Sequence, residues 1–355
     1  MSKFRECEIC GAALDSSEKC DCSADQNDDL PVSEILCTQP PIIFKNCTML
    51  PTTGMSRSDW LAERRKGIGG SDAAAIIGLN RWETPYTIYL DKLGLLQEKE
   101  ESEAMRQGRD FEDYVAKRFT DETGKKVRKC NYMIRNPSYP WAIADIDRRV
   151  AGENAGLECK TTSTLDLKQF RGVEFPEKYY VQCVHYLAVT GADRWYLAVL
   201  VFGKEFHVYT LERDESEIAA LMAAEEEFWE KVKNETPPDI TGQETDTKAL
   251  TAIFPDSIDE EIDLYDAEDL FKQLKFADDY LKNAQAWKDR VVNQIKDRMK
   301  TASVGNCGAY RCTWKTQERR TVDIAALKES YPDIPIEQFT KTSKYRPFLW
   351  KEAKE

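Results

Sequence analysis

Two short segments place acidic and basic side chains where they could act together. In 141–150 (WAIADIDRRV) Asp145 and Asp147 stand two apart, and in 156–162 (GLECKTT) so do Glu158 and Lys160. Residues two apart on a β-strand share a face, so each pair projects to one side, while Leu157 and Cys159 turn toward a core. A turn between the strands sets the two acidic faces side by side. Carboxylates held that close are costly unless a cation neutralises them, and Mg²⁺ or Mn²⁺ suits such oxygen ligands best. An ion there can activate water and stabilise the pentavalent phosphate of an in-line displacement. Lys160 would orient the attacking water or offset transition-state charge. Glu112, at the edge of the stripe Phe111, Tyr114, Val115, can approach the same centre. Taken alone, Asp-x-Asp and Glu-x-Lys on strands are often only solvated faces. The combination carries the reading: an acid, a ten-residue gap, Glu-x-Lys, and a helix behind it on which Gln182 and Tyr186, four apart, share a face.

The elements that must hold these groups are legible from period and punctuation. Helical spacing begins at Trp60 and leads into the glycine-rich turn of GIGGSDAAAIIGLN, with Ser71 expected as N-cap and Asp72 in the first turn. ETPYTIYLDKLGLL reads as an amphipathic helix with Pro85 in its first turn, and SEAMRQGRDFEDYVAKRFTDETG as a longer one closed by Gly124. Residues 126–163 read as three strands, broken at Asn-Pro-Ser and Gly-Glu-Asn-Ala-Gly. A helix over KYYVQCVHYLAVTG, a strand–turn–strand over 194–214, and a helix stopped by Pro237 and Pro238 complete an order of ααα-βββ-α-ββ-α. That order predicts an α/β (α+β) fold, a mixed sheet flanked by helices. Beyond Asp239 the chain turns acidic and linker-like, then helical over 267–302. AYRCTWK and YRPFLWK alternate as two strands would. Three regions are therefore expected: a Cys-bearing acidic tail (1–50), a core (51–238), and a helical plus β extension (239–355).

Composition narrows the classes. The 355 residues carry a net charge of −13, 41% apolar and 10% aromatic content, and eleven cysteines. That charge argues against a protein that coats nucleic acid by bulk electrostatics, yet a local basic channel can coexist with it. No run of 18 apolar residues is present, and the N-terminus lacks the apolar stretch of a signal peptide. A soluble, cytoplasmic protein with reduced thiols is expected. Only two histidines occur, which disfavours histidine-based metal chemistry.

The segments GIGGSDAAAIIGLNRWETPYTIYLDKLGL, MRQGRDFEDYVAKRF, ADIDRRV, GLECKTTS and YYVQCVHYLAVTG, in that order over roughly residues 55–235, resemble the YqaJ-type viral recombinase nucleases. These are relatives of phage lambda exonuclease within the PD-(D/E)xK superfamily. The resemblance implies a restriction-endonuclease-like core with two Mg²⁺ (or Mn²⁺) ions per active site. It implies that Glu112, Asp147, Glu158 and the Cys159 backbone carbonyl hold them, with Lys160 catalytic and Gln182 and Tyr186 lining the site. Asp147 rather than Asp145 matches the family position, and Ile146 stands where the superfamily has its leading proline. It also implies a 5′→3′ exonuclease acting on double-stranded DNA ends in a bacterial host, phage or prophage encoded. Such an enzyme forms a homo-oligomeric ring and leaves 3′ single strands for a RecT-like annealing protein. In a ring, Arg64, Arg65, Arg148 and Arg149 would face inward.

Around this centre, the amides of the turn 67–71 open a helix and with Ser71, Arg64 and Arg65 form a candidate 5′-phosphate site. The plainer reading is an ordinary cap beside a solvated basic patch. His185 divides evenly between packing and substrate contact; Trp82 could wedge against a base, with burial beside the helix the better reading. Cys7, Cys10, Cys20 and Cys22 are candidate ligands of a structural Zn²⁺, against a featureless tail. An iron–sulfur cluster is disfavoured, since no suitable cysteines follow Lys160. Two other functions use the same residues. One is a structure-specific or restriction-type endonuclease. The other is a non-catalytic DNA-end-binding module, against which the intact carboxylate–lysine set speaks.

Overall fold

The computed structural model describes residues 44, 47–98, 101–163, 175–319, 321–331, 334–341, 343 and 345–351, and the backbone of 5–6 and 13–14. Cys7, Cys10, Cys20 and Cys22 lie outside the described residues. The chain divides into two units, one through Phe254 and one from Pro255.

In the first unit, Arg5–Glu6 (β1) and Ala13–Leu14 (β2) pair antiparallel. Thr48–Pro51 (β3) precedes Arg57–Arg65 (α1), which Ser56 caps by accepting from the Asp59 amide. Ile68–Gly69 (β4) runs straight into Gly70–Ile76 (α2). Pro85–Lys92 (α3) starts on the Thr84 cap, with its proline where no amide hydrogen is needed. Glu103–Thr123 (α4) ends on Gly124 at φ 72°, a left-handed close that glycine adopts without strain.

Five strands follow where three are expected: Val127–Lys129 (β5), Tyr132–Asn136 (β6), Tyr139–Asp145 (β7), Arg148–Val150 (β8) and Ala155–Thr162 (β9). The extra breaks have a reason. β6 and β7 belong to a four-stranded sheet of order β3-β6-β7-β4, whereas β5, β8 and β9 belong to a second sheet, so the chain changes sheets between Asp145 and Arg148. The second sheet is completed by Glu177–Thr190 (α5) leading to Arg194–Val201 (β10) and Glu205–Glu212 (β11). Its order is β11-β10-β9-β8-β5, with β9 and β10 parallel and the other pairs antiparallel. This is a mixed α/β arrangement of the expected class. Glu215–Lys233 (α6) and Glu244–Ile253 (α7) close the unit.

The first unit runs past the expected boundary at 238 because α7 packs into it. Asp246 is fully buried and accepts from the Thr84 hydroxyl and, at 2.6 Å, from the Thr241 amide. Both faces of the second sheet are covered. Leu157, Cys159, Tyr196 and Ala198 pack with Val115, Ala116 and Phe119 of α4. Trp195, Leu197 and Val199 pack with Cys183, Val184 and Leu187 of α5. The buried stripe of α4 is thus Val115, Ala116 and Phe119; Phe111 and Tyr114, assigned to it from sequence, are exposed.

The second unit holds Glu268–Met299 (α8), a hairpin of Val304–Cys307 (β12) and Tyr310–Thr313 (β13), and Ile324–Ser330 (α9). The segment YRPFLWK is not a strand: Pro347 lacks the amide a ladder needs. Among the described residues no helix is long and apolar enough to cross a membrane.

Candidate active site

The alternation of β9 sends Leu157 and Cys159 to the α4 side and Glu158 and Lys160 to the other. Glu158, 2% exposed, lies under α5. Its Oε1 accepts from Gln182 Nε2 at 2.7 Å and pairs with Lys160 Nζ at 2.5 Å. Its Oε2 is buried, with no hydrogen-bond partner among the described residues. Gln182 also donates to the Tyr186 hydroxyl (2.8 Å), which donates to the Asp145 carbonyl (3.1 Å). The shared face of α5 thus braces Glu158 from behind.

Asp147 sits between β7 and β8, outside either strand, and accepts from the Cys159 amide at 2.7 Å. Strand parity therefore does not align it with Asp145, contrary to the expectation from sequence. Asp145 ends β7 and accepts instead from Trp60 Nε1 at 3.1 Å. Glu112, on α4, pairs with the Arg148 guanidinium, which also pairs with Asp113 and donates to the Asp147 carbonyl at 2.7 Å. Arg148 is accordingly buried within its own chain and is not a group free to line a channel.

The electrostatics follow from crowding acids in a low-dielectric place. Burial, then Glu158 and Glu112, push the Asp147 carboxyl well above the ordinary range. Burial likewise raises Glu158, with Lys160 opposing. Burial alone would lower the Lys160 ammonium, but Glu158 and Asp147 hold it above the usual lysine value, so it stays charged at neutral pH. These are the signs of a site that wants more positive charge than it has. The buried Glu158 Oε2, unpartnered among the described residues, and the all-oxygen set of Glu112, Asp147 and Glu158 fit a hard divalent cation. Among the described residues no three acidic, histidine or cysteine side chains converge tightly enough to hold a metal as they stand. Lys160 takes one oxygen of Glu158 and Arg148 one oxygen of Glu112.

The 67–71 turn is built differently from the expectation. Gly69, not Ser71, is the N-cap of α2, and the Asp72 carboxylate accepts from the Gly69 amide at 2.9 Å. Asp72 also accepts from Lys92 Nζ (2.6 Å) and Arg64 Nη2 (3.3 Å), while Arg64 Nη2 donates to Ser71 Oγ (2.6 Å). Burial would raise the Asp72 carboxyl; Lys92 and then Arg64 hold it well below the usual carboxylate range. Arg64 and Ser71 are therefore brought together, whereas Arg65 turns to Asp91 at 3.6 Å. Gly70 admits no side chain, since a Cβ there would meet the Tyr186 ring at 2.7 Å. The turn thereby presses directly on the Gln182–Tyr186 face.

His185 is a packing histidine. It is fully buried, bonded through Nδ1 to Glu225 (2.8 Å) and through Nε2 to the Ile143 carbonyl (2.9 Å). Trp82 is exposed, not buried beside the helix, with Arg81 stacked over its ring at 4.6 Å. Four polar residues are not legible as such in the sequence: Asp72 in its anchoring role, Lys92, Arg148 as an internal clamp, and Glu225. Lys92 carries one signal, a lysine set with Asp91 between the apolar stretches TIYL and LGLL at the end of α3; the others carry none beyond their residue type.

Residues 59–193 match the YqaJ-like viral recombinase domain. The chain is 40% identical over 305 residues to the uncharacterized protein YqaJ of Bacillus subtilis, covering 84% of this chain and 95% of that protein. Among solved structures, an alkaline exonuclease from Laribacter hongkongensis aligns with a TM-score of 0.44 and 20% identity over 50% of this chain and 94% of its own. A phage-related exonuclease from Haemophilus somnus aligns with a TM-score of 0.37 and 12% identity, over 48% and 96%.

Proposed function

Because this chain belongs to the YqaJ-like viral recombinase family, we propose that it is a Mg²⁺- or Mn²⁺-dependent exonuclease. In this reading it digests double-stranded DNA from the 5′ end and leaves 3′ single strands for a RecT-like annealing partner, working as a homo-oligomeric ring. The observation that carries the reading is Glu158. It is a buried carboxylate with one oxygen tied by Lys160 and Gln182 and the other without a partner among the described residues, beside Asp147.

Asp147, Glu158 and Glu112, with the Cys159 carbonyl, would hold the ion, which supplies neutralisation of phosphate charge and a lowered pKa for water. The chain's own groups do the rest. Lys160, kept protonated by its acidic neighbours, donates to the attacking water or to a phosphate oxygen as negative charge develops there. Gln182 fixes the plane of the Glu158 carboxylate, and Tyr186 ties Gln182 back to the Asp145 backbone. Arg64 and Ser71, already in contact, are suited to the terminal 5′-phosphate, with Arg65 as a further candidate. The test is a linear duplex labelled at the 5′ or 3′ end, digested with Mg²⁺ beside a covalently closed circle. Early release of the 5′ label with the circle intact is expected. Nicking of the circle would make the enzyme an endonuclease, and early 3′ release would reverse the polarity.

A further inference from the structure

Arg148 is buried, its side chain 4% exposed, and from the first residue of β8 it reaches three oxygens. Nη1 serves the Glu112 carboxylate and the Asp147 carbonyl (2.7 Å), and Nη2 serves the Asp113 carboxylate. A guanidinium offers its donors in a rigid planar fork, so these contacts fix two consecutive residues of α4 relative to the segment that carries Asp147.

Stability alone does not account for this arrangement. The Asp113 side chain is 81% exposed, so that acid needs no buried cation to satisfy it, while that of Glu112 is 24% exposed. Taking a guanidinium out of water is costly, and the return from the exposed Asp113 is small. What the contacts do achieve is placement. Glu112 is held by the same nitrogen that holds the Asp147 backbone, while Asp147's own carboxylate is anchored by the Cys159 amide. We propose that Arg148 is a positioning residue that sets Glu112 against Asp147 and Glu158, so that a divalent cation meets three carboxylates in one place. This rests on the metal-nuclease reading above and assigns the clamp to a residue outside the carboxylate–lysine set.

The experiment is direct Mn²⁺ binding to the full chain, read from the free-ion electron paramagnetic resonance signal, without DNA. Wild type, Arg148→Lys, Arg148→Gln and Glu158→Ala are compared, with melting in chelator as a check on folding. Both Arg148 variants are expected to weaken Mn²⁺ binding about tenfold or more, roughly 1.4 kcal/mol, because lysine keeps the charge but not the fork. If Arg148 acted only through its charge, Arg148→Lys would bind as wild type and Arg148→Gln more tightly; either result overturns the proposal. Should both variants unfold, Asp113→Asn loosens the fork from its exposed end. A severalfold weakening then supports the assignment and unchanged binding overturns it. Wild type that binds no Mn²⁺, or Glu158→Ala that binds as well as wild type, would instead remove the metal reading on which the proposal stands.

Discussion

Replacing Asp72 with alanine isolates the anchor beneath the α1–α2 turn. Its carboxylate accepts from the Gly69 amide, Lys92 Nζ and Arg64 Nη2. The Lys92 side chain is 1% exposed, and apart from Asp72 its ammonium has the Arg64 carbonyl at 3.4 Å. Asp72→Ala leaves that ammonium buried with little compensation. Breaking a buried pair from one side costs about 3–5 kcal/mol, which in a unit of this size lowers the melting temperature by roughly 6–20 °C. The double variant Asp72→Ala, Lys92→Met removes the stranded charge and should recover most of the loss. The four-member cycle should therefore show coupling of about 2–4 kcal/mol. The pH dependence has a definite sign. The folded carboxyl titrates below its unfolded value, so its contribution is complete above about pH 4 and is lost only as pH falls through the depressed folded value. The gap between wild type and Asp72→Ala should therefore be constant from about pH 5 to 8 and close only in strong acid. The assay is urea unfolding followed by circular dichroism. A single variant within about 1 kcal/mol of wild type, or a double variant that is merely additive, would refute the reasoning.

Lys160→Met should lower Mg²⁺-dependent DNA digestion about 10²-fold or more while the chain remains folded by circular dichroism; undiminished digestion would remove Lys160 from the chemistry. Gly156→Ala drives a Cβ to within 2.2 Å of the Trp195 ring, which is fully buried and cannot yield. A loss of about 3 kcal/mol or more is expected in denaturant titration, and a fully stable variant would contradict the packing. Burial opposes protonation of His185, but Glu225 outweighs it and the imidazole titrates above its usual value. The pair's stabilisation is therefore fully present below about pH 6.5 and fades as pH rises through the folded value. Burial raises Glu225 as well, which acts in the same direction. His185→Gln should flatten unfolding stability across that alkaline window, and an unchanged slope would locate the titration elsewhere.

The parts of the site carried by local periodicity are legible in the sequence. Strand alternation through Glu158, Cys159 and Lys160 and the helical pairing of Gln182 with Tyr186 both depend on neighbours along the chain, and both appear in the fold. The helix ends at Gly124 and Gly191 are legible for the same reason. What escapes depends on contacts distant along the chain. Asp145 and Asp147 look like one strand face, but the chain leaves one sheet at Asp145 and enters the other only at Arg148. Ser71 looks like a cap until Asp72 is seen to reach back to Gly69, an interaction drawn inward by Lys92 twenty residues on. α7 lies past two prolines in an acidic stretch, and it joins the first unit through partners far along the chain: Asp246 against Thr84, 162 positions away, and Ala249 in the cluster of Tyr86 and Phe228.

The ladder between β8 and β9 pairs Arg148 with Leu157 and Arg149 with Gly156. Asp147 and Glu158 therefore sit at the mouth of a hairpin whose closed end, residues 151–154, lies on the far side of the paired rungs. Lengthening that end at residues 151–152, ahead of the Glu153 and Asn154 contacts with Tyr196 and Gly191, adds a slowly growing loop entropy and leaves the two acids where they are. The ten-residue interval between them is thus a property of one turn, free to drift between lineages. Searches for distant kin that hold the interval constant would overlook chains with longer hairpins, whereas searches that hold the rung pairing constant would retain them.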